Sequence, residues 1–443
     1  MKSEIYKEMV CSLVNYFKSG EISPSRFRLG IEIEHFILDR YTLLTTPYHD
    51  DYGISAILKE LVKNGWKPIY ENDNIIGLKG RNLDISLEPG GQLELSLYPV
   101  ENLVEIEKIY LEFLEEIDPI LVRYNKILLA AGYQPISKIK EIELLPKKRY
   151  SFMYEYFRDK GIYAHNMMKG TASIQLNIDY SSEEDYRKKM RTAYYLSPLI
   201  YFFFDNAPFF EGKEYPNFNI RSIIWNNCDS DRCGLIDGIF DDDFGYETYA
   251  KYILDMPVII DKKDGQLIAV GSKPAKDIID INNFTDSSKD HILSMAFPDI
   301  RLKKYLEIRI GDSLPYPYNM SYVAFWKGLL YDLENLNYLY EKVKIYSEDD
   351  IIKIHGDIKE NGIESDIYGK PLYSFMNELL KLSSQGLESH EKKYITILDS
   401  LLRENMNPKM KTLKKYNDGY TIFDSINWSI VGGDSSDVKK NIL

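Results

Sequence analysis

Strict two-residue alternation between apolar and polar side chains constrains this chain more than any other feature. It occurs in four segments. They are Gly30-Ile31-Glu32-Ile33-Glu34, the stretch Asp84 to Ser96 with Glu88-Pro89-Gly90-Gly91-Gln92-Leu93-Glu94 inside it, Ser173 to Asp179, and Arg301 to Arg309. Successive side chains of a strand point to opposite faces. Each segment therefore has one apolar face and one face of carboxylates, amides or arginines. Parallel strands covered on both sides read as unbroken apolar runs instead. The pattern predicts an α+β fold, an antiparallel or mixed sheet with helices behind it and an open polar face in front. Joined in one sheet, the four polar faces make an acidic, arginine-edged surface suited to divalent cations and phosphate.

Between these strands the spacing is helical. It predicts helices over about 4–19, 54–64 and 183–204, and one long amphipathic pattern over 101–131 that Pro119 interrupts. Two short strands, Lys67–Glu71 and Ile75–Lys79, flank the turn Asn72-Asp73-Asn74. From Asn319 onward the pattern is mainly helical, and Asn407-Pro408 reads as a stop followed by a polar tail. The expected organisation is a catalytic core over 1–318 and a mainly helical region over 319–443 packed on it as one integrated domain.

A net charge of −13 without a long basic run argues against nucleic acid and anionic membranes as partners. The apolar stretch near Leu196 to Phe210 is broken by Pro198, Asp205, Asn206 and Pro208, short of the roughly 20 residues a spanning helix needs. Three cysteines do not make a disulfide framework. A cytoplasmic location is expected. Neither a P-loop nor a GxGxxG fingerprint is present.

Glu32, Glu34, Glu88, Glu94 and Glu307 are candidate Mg²⁺ ligands, because Mg²⁺ takes oxygen donors and usually only a few carboxylates beside substrate phosphates. A solvated sheet face is the plain alternative, but like charges on adjacent strands repel, and Lys and Thr hardly dilute the first two segments. Gln175 and Asn177 share a face and suit amide recognition of a nucleotide or amino acid. Arg301, Glu307 and Arg309 hold either an intrasheet ion pair or a metal beside a transferring phosphoryl group. Arg221, Trp225 and Arg232 crowd one loop-like segment, whose arginines could clamp a carboxylate.

Together these motifs resemble the glutamate–cysteine ligase family in its plant and proteobacterial branch. Gly30 to Glu34 is similar to its GxExE strand and Leu87 to Ser96 to its EPGGQxELS motif. Thr171 to Tyr180 resembles TASxQxNxDY, Arg221 to Gly234 RxxIWxDTDPDRxG, and Phe297 to Arg309 FPDVRLKRYLExR. The resemblance implies a glutamine synthetase-like core, a curved antiparallel sheet forming an acidic funnel for ATP and Mg²⁺. It implies phosphorylation of the γ-carboxylate of L-glutamate and displacement of phosphate by the amine of L-cysteine, the first step of glutathione or related thiol synthesis. Glu32, Glu34, Glu88, Glu94 and Glu307 would then hold metal. Glu307 and Arg309 would act at the transferring phosphate, and Gln175 and Asn177 would line the ATP and substrate region. Arg221, Trp225, Arg232 and Arg301 would bind substrate carboxylates or order the loop. A monomer or homodimer is expected. Asn227, Cys228, Ser230, Cys233 and Ile310-Gly311-Asp312-Ser313 depart from the family pattern, which leaves open a γ-glutamyl ligase with another amine acceptor.

Overall fold

The computed structural model describes residues 2–263 and 265–433. Its centre is a ten-stranded sheet built from β1 (Leu29–Asp39), β2 (Lys67–Glu71), β3 (Asn74–Lys79), β4 (Leu83–Leu87), β5 (Leu93–Val100), β6 (Lys126–Leu129), β7 (Ser173–Ile178) and the strands Ile300–Leu302, Leu306–Asp312 and Ile430–Gly432. The main path runs Ile300–Leu302, Leu306–Asp312, β7, β1, β5, β4, β3, β2. All pairings along it are antiparallel. β1 is long enough to serve two neighbourhoods. Its first half lies between β5 and β7, and Phe36–Asp39 turn away to pair with β6, which in turn pairs with Ile430–Gly432.

Alternation decides which face is inside. Ile31, Ile33, Ile85, Leu95, Ile174, Leu176 and Ile308 are buried in the main apolar core. Glu32, Glu94, Ser86 and Ser96 are half-buried on the opposite face.

The helices are α1 (Lys2–Lys18), α2 (Ile54–Lys63), α3 (Leu103–Arg123), α4 (Lys148–Phe157), α5 (Ala164–Gly170), α6 (Glu183–Phe203), α7 (Ile220–Asn226), α8 (Tyr246–Asp255), α9 (Asp286–Leu293), α10 (Tyr318–Leu330), α11 (Leu333–Val343), α12 (Glu348–Asn361) and α13 (Leu372–Gln385), followed by shorter ones. Helices α3 and α6 pack on strands of the sheet, and α10 packs on α3 and α13. Residues of α10, α11 and α13 belong to the same apolar core as β1 and β5. Capping follows the expected chemistry: Asn102 accepts from Glu105 N, and Ser182 from Asp185 N.

Four expectations change. The 101–131 pattern is not one helix: α3 continues through Pro119 and ends at Arg123, and Lys126–Leu129 is a strand buried along its whole length. Arg301 to Arg309 is not one strand but a hairpin, with Lys303 N donating to Tyr305 O and Arg301 opposite Glu307. Arg221 and Trp225 sit on a helix, α7, rather than a loop. Asn407-Pro408 starts a helix, Pro408–Asn417, in which Asn407 accepts from Met410 N and Pro408 takes the first turn. The chain beyond it returns to the sheet as Ile430–Gly432. The part of the expected polar tail from 434 on lies outside the described residues.

Candidate active site

The polar face of the sheet is the floor of a cavity. Register places Glu32 opposite both Ser96 on β5 and Gln175 on β7, and Glu34 opposite Glu94. Glu94 also faces Ser86 on β4. Helices α4, α5 and α7 and the segment 294–297 supply the walls, so that Arg149, Tyr150, Met153, Met167, Met168, Trp225 and Phe297 close over the carboxylates. Of the expected residues, Glu32, Glu34, Glu88, Glu94, Gln175, Arg221, Trp225, Arg301 and Arg309 all line this one cavity.

The bend at Pro89-Gly90-Gly91 makes the convergence possible. A Cβ on Gly90 would lie 2.5 Å from the carbonyl oxygen of Lys169, and Gly91 adopts φ +82°. Only glycine suits both demands. Gln92 fixes the bend to the end of α5. Its Oε1 accepts from Gly90 N at 2.9 Å, and its Nε2 donates to Thr171 O at 2.8 Å and Met168 O at 3.3 Å.

Four carboxylates line the cavity, Glu32, Glu34, Glu88 and Glu94. Glu34 accepts from Ser173 N (2.7 Å) and Gln175 Nε2 (3.0 Å), Glu32 from Asn177 Nδ2 (3.3 Å), Glu88 from Tyr150 OH (3.2 Å), and Glu94 from the Ser86 and Ser96 hydroxyls. Burial raises the Glu34 carboxyl to about 8, with repulsion from Glu88 and Glu94 adding to it. Burial and neighbouring carboxylates raise Glu32 and Glu94 to about 7.

Four guanidinium groups line it as well: Arg149, Arg221, Arg301 and Arg309. Arg309 donates to Gln175 Oε1 and to Glu307 Oε2. Arg221 donates to the carbonyls of Arg309 (3.1 Å) and Gly311 (3.3 Å), which ties α7 to the sheet. Its guanidinium lies 5.9 Å from the Trp225 ring, and that of Arg309 5.8 Å. Arg221 Nε and Trp225 Nε1 are buried donors without partners, which suits an oxygen-rich ligand.

Three expected residues stand off the cavity wall. Asn177 is a neighbour of Glu32 rather than a wall residue. Glu307 is wholly buried, pairing with Lys303 through one oxygen and with Arg301 and Arg309 through the other. These cations hold its carboxyl well below the usual range against the opposing effect of burial, the larger single influence. A metal-ligand role for Glu307 requires one of these pairs to open. Arg232 is fully internal, which fits the ordering alternative better than contact with substrate. It pairs with Asp229 at 2.7 Å and donates to Met295 O, Pro257 O and Tyr156 OH.

Sequence reasoning missed Arg149, Tyr150 and Met153, whose helix carries no chemical motif. It quoted Gln92 and Ser173 inside motifs without giving them a role. None of the family-departing residues Asn227, Cys228, Ser230, Cys233 or Asp312 lines this cavity.

Among the described residues, no three His, Cys, Asp or Glu groups already converge at metal-ligand spacing. The donor set nevertheless fits a hard divalent cation. It is all carboxylate, and neighbouring carboxylates add to the raised proton affinity of Glu32, Glu34 and Glu94, which a cation would relieve. No helix among the described residues is long and apolar enough to cross a membrane.

The sequence model of glutamate-cysteine ligase family 2 (GCS2) matches residues 28–358. The chloroplastic glutamate–cysteine ligase of Arabidopsis thaliana is 31% identical over 418 residues, covering 91% of this chain and 79% of that protein. Chloroplastic glutamate–cysteine ligase B of Oryza sativa subsp. japonica is 31% identical over 417 residues, with 91% and 83% covered. The glutamate–cysteine ligase of Francisella tularensis in complex with AMP shares the fold at TM-score 0.56 and 12% identity, over 91% of this chain and 87% of that one. A cavity built from the GxExE, EPGGQxELS and ExR segments, together with a family match over most of its length, makes this chain a member of glutamate–cysteine ligase family 2.

Proposed function

We propose that the protein uses ATP to join the γ-carboxylate of L-glutamate to the amine of L-cysteine, giving γ-glutamylcysteine for glutathione or a related thiol. The observation that carries this reading is one cavity lined by four carboxylates and four guanidinium groups, with Arg301 beside Glu32 and Arg221 beside Glu34. Phosphoryl transfer from ATP to a carboxylate brings several anions together, so positioning and charge neutralisation dominate catalysis.

Glu32, Glu34, Glu88 and Glu94 would hold Mg²⁺, with Glu307 joining on release from an ion pair. The ion would supply neutralisation of the phosphate oxygens. Arg309, held by Gln175 and Glu307, would offer its guanidinium to the transferring phosphoryl group. Arg221, Trp225 and Arg301 orient the glutamate carboxylates, and the unpartnered Nε atoms of Arg221 and Trp225 are the free donors for them. Tyr150, Met153, Met168 and Phe297 restrict water access to the acyl phosphate, favouring the amine over hydrolysis. The amine displaces phosphate, a C–N bond forms as the C–O bond breaks, and the released proton passes to solvent or to phosphate.

We further propose residues 1–318 as the catalytic core, with 319–443 packed on it in one domain, and action as a soluble cytoplasmic monomer or homodimer. None of the family-departing residues lines the cavity, which supports cysteine as acceptor over another amine.

The test is incubation with ATP, Mg²⁺ and L-glutamate, plus cysteine or a panel of other amines, following phosphate release and product mass. Cysteine-dependent γ-glutamylcysteine that disappears in Glu94→Ala is the expected result. Product with another amine only would move the protein to a different acceptor. No phosphate release with any amine would overturn the ligase reading.

A further inference from the structure

A second cavity of about 450 Å³ shares two walls with the first. Helix α7 is one: Arg221 and Trp225 line the first cavity, and Ser222, Ile223 and Asn226 line the second. The segment 297–301 is the other. Phe297 and Arg301 face the first cavity, and Asp299 faces the second. The backbone of Asp299 also accepts from Arg309 N at 3.0 Å. Whatever fills the second cavity therefore touches the two elements that place Arg221, Trp225 and Arg309.

The cavity has the marks of a polar-headed ligand site. Asn219, only 3% exposed, lines it with both amide atoms unpartnered. A buried amide without partners is costly unless a ligand or water answers it. Asn219 also begins α7 in the left-handed region, at φ 59°. Asp299 lines the same space. Its Oδ1 accepts from Tyr201 OH at 2.8 Å, and burial raises its carboxyl to about 6. Lys359 lies on the rim, and no ion pair of its ammonium is found among the described residues. Ile223, Leu235, Ile351 and Ile352 supply an apolar side. A carboxylate, an ammonium, a free amide and an aliphatic wall complement a zwitterion that carries an aliphatic side chain.

We propose that this second cavity is a regulatory site for a free aliphatic α-amino acid. Its ammonium goes to Asp299, its carboxylate to Lys359 and the Asn219 amide, and its side chain against Ile223, Leu235, Ile351 and Ile352. Occupancy fixes the position of α7 and so the set of Arg221 and Trp225 in the first cavity.

The test titrates L-leucine and L-methionine into the full chain by calorimetry, which needs no catalytic activity and so stands apart from the ligase reading. Binding is expected. Lys359→Met, at the rim, and Asn219→Gly, which keeps the left-handed backbone, should each weaken it about tenfold or more, the equivalent of one charged hydrogen bond. In the ligase assay the same amino acids should shift the rate about fivefold at saturating glutamate, and Lys359→Met should abolish that shift while leaving the basal rate unchanged. The absence of binding by either amino acid, binding that both variants leave intact, or an effect that vanishes at saturating glutamate would each overturn the proposal.

Discussion

The Asp229–Arg232 pair decides between two roles for the most conspicuous arginine of the tryptophan segment. Both side chains are internal, 2% and 0% exposed, and Arg232 Nε lies 2.7 Å from Asp229 Oδ2. Replacing Asp229 by Asn leaves a desolvated guanidinium without its countercharge, and breaking a buried pair in this way costs about 3–5 kcal/mol. The remaining acceptors, Met295 O, Pro257 O and Tyr156 OH, put the expected loss at the low end, about 3 kcal/mol. Arg232→Met strands a carboxylate that keeps Tyr156 OH at 3.0 Å and Lys160 at 3.5 Å. Its cost should be smaller, about 2 kcal/mol. The double variant D229N/R232M removes both charges together, and its cost should fall well below the sum of the singles. Urea unfolding midpoints of the four proteins measure the cycle, and kinetics on the same samples measure KM for glutamate and ATP. Additive losses, or an Arg232→Met variant of unchanged midpoint with a tenfold higher KM, would refute the ordering role and return Arg232 to the substrate.

Four further outcomes are expected. Glu34 is raised to about 8 in the folded chain against about 4.3 unfolded, so its protonated form stabilises the metal-free protein at low pH and that stability is lost as pH rises through about 8. Mg²⁺ competes with those protons, and its thermal shift by differential scanning fluorimetry should be larger at about pH 8.5 than at about pH 6; the reverse order would sink the carboxylate site. Glu34→Gln removes one of the crowded charges and should raise the melting temperature of the metal-free protein at alkaline pH while abolishing ligation. Arg309→Lys loses the planar guanidinium, which reaches both Gln175 and Glu307 through Nη1, and kcat should fall about 100-fold or more; an unchanged kcat in stopped assays would remove Arg309 from the chemistry. Gly90→Ala forces a Cβ against the Lys169 backbone and should destabilise by about 1–3 kcal/mol, seen as a lower urea midpoint.

The sheet was legible wherever one face was apolar and the other was not. Period-two alternation placed β1, β4, β5 and β7, and it put Glu32, Glu34 and Glu94 on one side of them. Lys126–Leu129 was hidden because it is buried on both faces, and a short run of Ile and Leu after a helix reads as more helix. The 303–305 turn carries no Gly, Pro or Asn, so the hairpin looked like a continuous strand. Asn-Pro has two meanings, and the stabilising one here is a cap followed by a first-turn proline. Arg232 misled for a related reason: sequence shows a charge but not whether four internal acceptors surround it. The wall contributed by α4 was illegible because Arg149, Tyr150 and Met153 acquire a role only when tertiary packing brings their helix over the sheet.

The strand Ile430–Gly432 has a consequence for how the chain is made. It covers β6, which β1 leaves with an open edge until residues 430–432 arrive, about 300 residues later in sequence. Gly433 completes the closure, its carbonyl accepting from Arg40 and its N–H donating to Asp118 Oδ1 at 2.7 Å. On the ribosome the catalytic floor is therefore synthesised long before its neighbouring edge can be sealed. Nascent chains that stall before residue 430 would present an adhesive strand to one another. Ribosome pausing between residues 130 and 430 should thus be more damaging to yield than pausing of equal length before residue 126.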